Sequence, residues 1–345
     1  MENTKTKTPR MPKLWEALLV LGLLVGVLAV GIIVYGVDPH IPMFVGTIGA
    51  ALMALRLGYK WQEVEKSMLD GIYKALQSVI ILAIIGILTG VWLNAGVVPT
   101  MIYYGLQILS PSIFFVGALL ICSVTALATG TSWGTMGTMG VALMGIGYGL
   151  GMNPAITAGA IISGAYFGDK MSPLSDTTNL APAMAGTTVF THVKHMVFTT
   201  TPAYIVAMIA YAVLGFVVIG ENSADLNTVN LYMDTLQANF NISPIMLIPP
   251  ICVLLMVVFK VPAIPGLIGV AVLGGIFAIV FQGASLSDIL ASTYTGVSMD
   301  TGVAEINRLV CRGGLSSMLD TIALILIALA FAGIVERTGM VQSIV

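Results

Sequence analysis

Ten apolar runs, most of them close to twenty residues long, follow one another along this chain of 345 residues. They occupy 14–35, 41–58, 77–95, 112–130, 135–150, 154–168, 195–220, 244–260, 263–282 and 314–334. A helix needs roughly 20 apolar residues to cross the hydrocarbon core of a bilayer. Charged residues make up 9% of the chain, against about 25% in soluble domains. The expectation is an all-α polytopic membrane protein whose first partner is the lipid bilayer, with 154–168 as a half-helix. A net charge of −2 gives no basis for nucleic-acid binding. Cys122, Cys252 and Cys311 lie far apart in or beside apolar runs and read as small hydrophobes. The basic tail (Lys5, Lys7, Arg10, Lys13) resembles the start of a signal peptide. The apolar run after it is longer than the ~7–15 residues of a signal core and no small-x-small cleavage site follows, so it reads as the first membrane helix.

Bases in short loops set the orientation. The tail is basic, the link at Asp38-Pro39-His40 carries no Lys or Arg, and the next loop carries Arg56, Lys60, Lys66 and Lys74. The N-terminus is therefore expected in the cytoplasm, with residues 61–76 as an amphipathic surface helix. Lys194, beside His192 and His195, marks a second cytoplasmic loop. Residues 221–243 hold Glu221, Asp225 and Asp234 without a base and fall outside. Residues 284–312 also count as external, although they carry Arg308 and Arg312.

The chain contains a weak internal repeat. Residues 71–102 can be laid on 314–345 at an offset of 243, matching Gly71/Gly314, Leu76/Leu319, Ile84/Ile327, Gly90/Gly333, Gly96/Gly339 and Val98/Val341. The identical tetrapeptides at 67–70 and 317–320 suggest a competing register. One loop counts as cytoplasmic and its mate as external, so the copies would be inverted in the membrane, as in many secondary transporters. The expected organisation is a cytoplasmic tail at 1–13, a first transmembrane repeat at 14–220, an external linker at 221–243 and a partial second repeat at 244–345. Symmetric halves would require roughly 92 further residues, so the second repeat is expected to be incomplete.

Between two apolar runs lies a polar stretch, residues 168–182, with the sequence GDKMSPLSDTTNLAP. Irregular backbone at membrane depth survives only where it is buried in protein or lines a wet cavity. Discontinuous helices of this kind form the ion and substrate sites of transporters. Hard cations take oxygen ligands, and this stretch supplies Asp169, Ser172, Ser175, Asp176, Thr177, Thr178 and Asn179. A carboxylate inside a membrane is costly when charged, so it can hold either a proton or a metal cation. Competition between the two is the minimal chemistry of cation/proton exchange. Asp176 is the first choice as the exchanging carboxylate, because Thr177, Thr178 and Asn179 adjoin it. Asp169 is the second, and Lys170 is placed to neutralise it. A second polar break, with Thr129, Thr131, Ser132 and Thr135, can line a pore or form an ordinary turn. Lys170 is the one intramembrane base available to an anionic substrate. Asn94 and Gly96 end a helix and begin either a re-entrant hairpin or an exit turn. No phosphate-binding loop, dinucleotide-binding glycine pattern or nucleophile elbow is present, so neither ATP-driven pumping nor an enzymatic activity is indicated, and no cofactor is expected.

The polar stretch from Gly168 to Ala181 resembles the signature of the NhaC-type Na+/H+ antiporters. The segments Gly130-Thr131-Ser132-Trp133-Gly134-Thr135 and Gly333-Ile334-Val335-Glu336-Arg337-Thr338-Gly339 are similar to that family as well. The resemblance implies an exchanger of the bacterial cytoplasmic (inner) membrane, with inverted repeats and a hairpin plus a broken helix in each half. It implies Na+ and H+ as the transported species, and on the residue argument above Na+ is expected at Asp176 and Asp169. Some relatives exchange malate for sodium and lactate, so coupling to small carboxylates stays open. So do a homodimer and a non-transporting, truncated chain.

Overall fold

The computed structural model describes residues 9–172, 175, 178, 182, 187–219, 226–259 and 261–344. Among these residues the fold is helical throughout. Five helices are long and apolar enough to cross a membrane: Leu14–Val34, Leu76–Asn94, Thr191–Val217, Ile264–Gln282 and Leu315–Arg337. Val229–Asn239 and Pro244–Val253, bent by 96° at a short break, make a sixth if they form one span. The remaining runs are shorter or interrupted. The run at 135–150 is a four-residue helix, a wide π turn and a second helix in succession.

The chain divides into two compact units, residues 9–80 with 319–344, and residues 81–318. The first contains α1 (Leu14–Ala29, ending in a π turn at Val30–Val34), α2 (His40–Arg56), α3 (Trp61–Tyr73) and the late helix α16 (Leu319–Arg337). Its core is Ala17, Val20, Ala50, Ala54, Leu57, Val64, Phe331 and Ile334. The helix expected at 61–76 is present, ending at Tyr73. The tail is not simply basic and solvated. The Arg10 guanidinium makes two hydrogen bonds to the fully buried carboxylate of Glu16, at 2.8 and 2.6 Å, a bidentate geometry that offsets the loss of water around that charge. Glu336 accepts from Lys74 Nζ at 2.7 and 2.8 Å. Both partners are well exposed, and such pairs contribute about 0–1 kcal/mol. Lys74→Met should therefore move the thermal unfolding midpoint in detergent by less than about 3 °C; a larger fall in scanning fluorimetry would give the pair a role beyond the surface.

The second unit holds most of α4 (Leu76–Asn94) and then α5 (Val97–Ile108), α6 (Pro111–Thr129), α7 (Ser132–Thr135), α8 (Val141–Gly149), α9 (Pro154–Met171), α10 (Val189–Ile219), α11 (Leu226–Asn239), α12 (Ile248–Val258), α13 (Ala263–Gln282), α14 (Leu286–Thr295) and α15 (Ala304–Val310). The chain at Asn94–Gly96 makes a tight turn, with Gly96 left-handed (φ 74°), straight into α5. The expected linker at 221–243 is largely helical. Its α11 buries Leu236 and Tyr232 in the main core, and Gln237 donates to Tyr103 on α5. The stretch 284–312 carries α14 and α15 in place of a plain loop. The Asp300 carboxylate accepts from the Gly302 N–H at 3.0 Å and from the Asn307 amide at 2.9 Å, which holds its pKa below the ordinary carboxylate value. Cys311, read as a small hydrophobe, is also a clasp. Its thiol donates to the Met299 carbonyl and accepts the Met299 N–H.

The structure distinguishes the two repeat registers. Helices α4 and α16 begin and end at positions 243 apart, 76/319 and 94/337. Each is followed by a left-handed glycine at that same offset, Gly96 (φ 74°) and Gly339 (φ 78°). The packing is reciprocal too. In the first unit Gly71 of α3 lies against Gly333 of α16, where an added Cβ would sit 2.2 Å from the Leu329 carbonyl oxygen. In the second unit their mates meet: a Cβ on Gly90 of α4 would lie 2.9 Å from the Gly314 nitrogen and 2.1 Å from the Ser292 oxygen. Contacts of this closeness require glycine on both sides. The register implied by the tetrapeptides pairs none of these positions.

Candidate functional site

The candidate site lies where α6, α7 and α9 meet. Asn153 caps α9, its side chain accepting from the N–H groups of Ala155 and Ile156, and Pro154 occupies the first helical position. From there α9 runs beside α6, the most extensive helix pairing in the molecule. Glycines set the distance. A Cβ on Gly164 would fall 2.3 Å from the Leu119 oxygen, and one on Gly168 would fall 2.2 Å from the Ser123 oxygen. The two backbones are thus in contact at the entrance to the polar stretch.

The helix was expected to stop at 168 but continues to Met171, so Asp169 and Lys170 belong to its last turn. Propensity at Gly168 is overridden by the packing against α6. Ser172 is the first extended residue (ψ 125°), and its N–H bonds the Asp169 carbonyl at 3.1 Å. Thr178 folds back over the helix end and donates to the Lys170 carbonyl at 2.9 Å and to that of Asp169 at 3.3 Å. Ser172, Ser175 and Thr178 are all buried. These are orphan carbonyls of a helix terminus satisfied by the Thr178 side chain. Asp176, Thr177 and Asn179 fall outside the described residues.

Asp169 stands out. Its Oδ1 atom is buried and has no hydrogen-bond partner. Lys170, placed to neutralise it, turns its side chain to the exposed side, and among the described residues the ion pairs are Arg10–Glu16 and Lys74–Glu336. A buried carboxyl oxygen without a donor is costly unless it is protonated or meets a cation.

The second polar break is a buried turn rather than a loop. Gly130 closes α6 in the left-handed conformation (φ 68°). Thr131 caps α7, accepting from the Gly134 N–H at 3.2 Å, and Thr135 donates back to the Thr131 carbonyl at 3.0 Å. Ser132 and Thr135 are buried, and α7 packs directly on α9. The structure therefore brings the Thr131–Thr135 segment and the helix that carries Asp169 together. The π turn Met136–Gly140 that follows is a feature often found at functional sites. Thr129 lies in the last turn of α6.

Sequence reasoning missed the partner helix. Tyr204 on α10 stacks on Phe167 with ring centroids 3.7 Å apart, and its hydroxyl lies 2.7 Å from Ser123 Oγ. Ser123 donates its own hydrogen to the Leu119 carbonyl, so the tyrosine is the donor of that pair. Tyr211, two turns on, places its hydroxyl 3.2 Å from Ser163 Oγ. Two tyrosines seven residues apart in an otherwise apolar helix were the available signal.

The proteins to which the chain is similar are antiporters. The family model described as Na+/H+ antiporter family matches residues 164–345, from the end of α9 through the polar stretch and onward. The chain is 41% identical to the malate-2H+/Na+-lactate antiporter of Bacillus subtilis, over 98% of this chain and 72% of that protein. It is 40% identical to the Na+/H+ antiporter NhaC of Alkalihalophilus pseudofirmus, over 95% of this chain and 70% of that one. It is 35% identical to the arginine/ornithine antiporter ArcD of Halobacterium salinarum, over 97% and 70%. No solved structure matches the chain. The family model and the relatives, which match this chain over most of its length, lead to one assignment: the chain belongs to the Na+/H+ antiporter family.

Proposed function

We propose that the protein exchanges Na+ for H+ across a bacterial cytoplasmic membrane by alternating access, with Asp176 as the exchanging carboxylate. Asp169 and the Ser172, Ser175, Thr177, Thr178 and Asn179 oxygens complete the shell. The N-terminus is cytoplasmic, and residues 14–220 and 244–345 form the inverted repeats around the 221–243 link. The observation that carries the reading is the buried, partnerless Oδ1 of Asp169 in the last turn of α9. Cytoplasmic Na+ displaces a proton from the acidic pair. The site turns outward, Na+ leaves, and a proton taken from outside resets it. A carboxyl that gives up one occupant for the other couples the two fluxes without further chemistry.

A second reading is favoured by the name of the Bacillus subtilis relative, which exchanges carboxylates together with Na+ and H+. In that reading the Thr129–Thr135 segment, with Lys170, holds the carboxylate. Proton movement in inside-out vesicles from antiporter-deficient cells separates the two. Na+ alone should suffice for Na+/H+ exchange. A response that appears only when malate or lactate accompanies Na+ would replace the first reading with the second.

A further inference from the structure

Three helices arrive at one level in the second unit, and two buried oxygens there have no hydrogen-bond partner. Their register follows from contacts. Helix α10 runs antiparallel to α6, because Gly215 lies against the Ser112 carbonyl while Tyr204 meets Ser123 eleven residues further along α6. One turn beyond Tyr204, Thr200 comes level with Leu127. Helix α10 also runs antiparallel to α9, since Tyr211 meets Ser163 and Tyr204 stacks on Phe167. By this second route Thr200 comes level with Lys170 and Met171. The α6–α9 pairing closes the triangle: Gly168 lies against the Ser123 oxygen and the Leu127 nitrogen. Together the three pairings place Thr200 at about the axial level of the last turn of α9, where Asp169 stands and where α6 gives way to Gly130 and α9 to Ser172.

Thr200 Oγ1 is buried and unpartnered, as Asp169 Oδ1 is. That is unusual for a helical threonine, which ordinarily donates to the carbonyl three or four residues back. Thr125, Thr157, Thr199 and Thr235 all do so here, and Thr100 in α5 is the other buried threonine without a partner among the described residues. Pro202, inside the same helix, has no N–H to give the Phe198 carbonyl, so the backbone is opened beside Thr200. Two helix C-termini, a carboxyl oxygen and a hydroxyl oxygen converge on a level without a donor for either side chain. That arrangement suits a hard cation stripped of water.

We propose that Thr200 is a further ligand of the transported Na+, sharing the ion with Asp169. Tyr204 and Tyr211 act as the clasp that holds α10 in register. This rests on the Na+ reading of the polar stretch. The test is a Na+ titration of proton flux in inside-out vesicles, with each variant matched for amount in the membrane. Thr200→Val keeps the shape and removes the oxygen, and should raise half-saturating Na+ by about tenfold or more. Thr200→Ser keeps the oxygen and loses a methyl, and should stay within about threefold. A packing role predicts the opposite order. If Thr200→Val fails to reach the membrane, Thr200→Ala takes its place with the same expected rise. Wild-type Na+ dependence in Thr200→Val, with Asp169→Asn silent, would overturn the ligand role and leave the Na+ site standing. Wild-type behaviour in Thr200→Val, Asp169→Asn and Asp176→Asn alike would overturn both.

Discussion

Asp176→Asn and Asp169→Asn should each reduce Na+-driven proton movement to the level of vesicles that lack the protein. Asparagine keeps the size and one oxygen but cannot exchange a proton for a cation. The loss should therefore be of coupling and not of folding. For Asp169 the effect on stability has the opposite sign. Its Oδ1 is buried without a donor, so replacing the carboxyl with an amide that cannot ionise removes an uncompensated charge from the interior. The Asp169→Asn protein should survive heating in detergent as well as the parent, or better, while transporting nothing. Normal flux in one variant would remove that residue from the exchange and leave the other as the coupling group. A variant both silent and unstable would point to a structural carboxyl instead.

The second large effect is expected at the reciprocal glycine crossings. A methyl on Gly333 would lie 2.1 Å from the Ser67 oxygen and 3.1 Å from the Gly71 Cα, and one on Gly90 would lie 2.1 Å from the Ser292 oxygen. Ordinary contact begins more than an ångström further out, and the opposing atoms are backbone, which cannot rotate away. Overpacking of this kind costs about 1–3 kcal/mol or more. Gly333→Ala and Gly90→Ala should each lower the temperature at which half the protein stays folded in detergent, by similar amounts. Gly22 and Gly26 on α1 provide the control, because an added Cβ meets nothing within 4 Å at either. There alanine should be neutral or slightly stabilising, by up to about 1 kcal/mol from helix propensity. A tolerated Gly333→Ala would mean that the helices separate at little cost.

Much of the fold was legible because a membrane helix announces itself by length and hydropathy. The run read as 77–95 is the helix Leu76–Asn94, and that read as 263–282 is Ala263–Gln282. The repeat was legible as six weak identities, and the left-handed pair Gly96 and Gly339 gives the register its physical reason: each glycine ends a helix that its Cβ-bearing neighbours would continue. Helices α11, α14 and α15 were hidden because their composition is polar, and amphipathic packing against neighbours decides such segments rather than hydropathy. At the site, residue types pointed to Asp169, but its position in the last turn of α9 depends on Gly168 lying against α6, a contact between residues more than forty apart. The same holds for Thr200. Nothing in a Thr-Thr-Thr run shows which hydroxyl lacks a carbonyl to bond, and that follows only from the register of three helices.

The exchange of helices across the repeat also sets the order in which the molecule can be built. Helices α1 to α3 are made first, yet the helix that fills their shared face, α16, follows the whole of the second unit, roughly 240 residues later. At ~5–20 residues per second of synthesis, the early helices stand in the membrane with the Gly71 surface uncovered for on the order of 10–50 s. The second unit meets no such delay, since its residues are contiguous in the chain. Assembly therefore proceeds from the middle outward, and the nascent first three helices are the stage at which lipid, an insertion chaperone or a protease has the longest access to the chain.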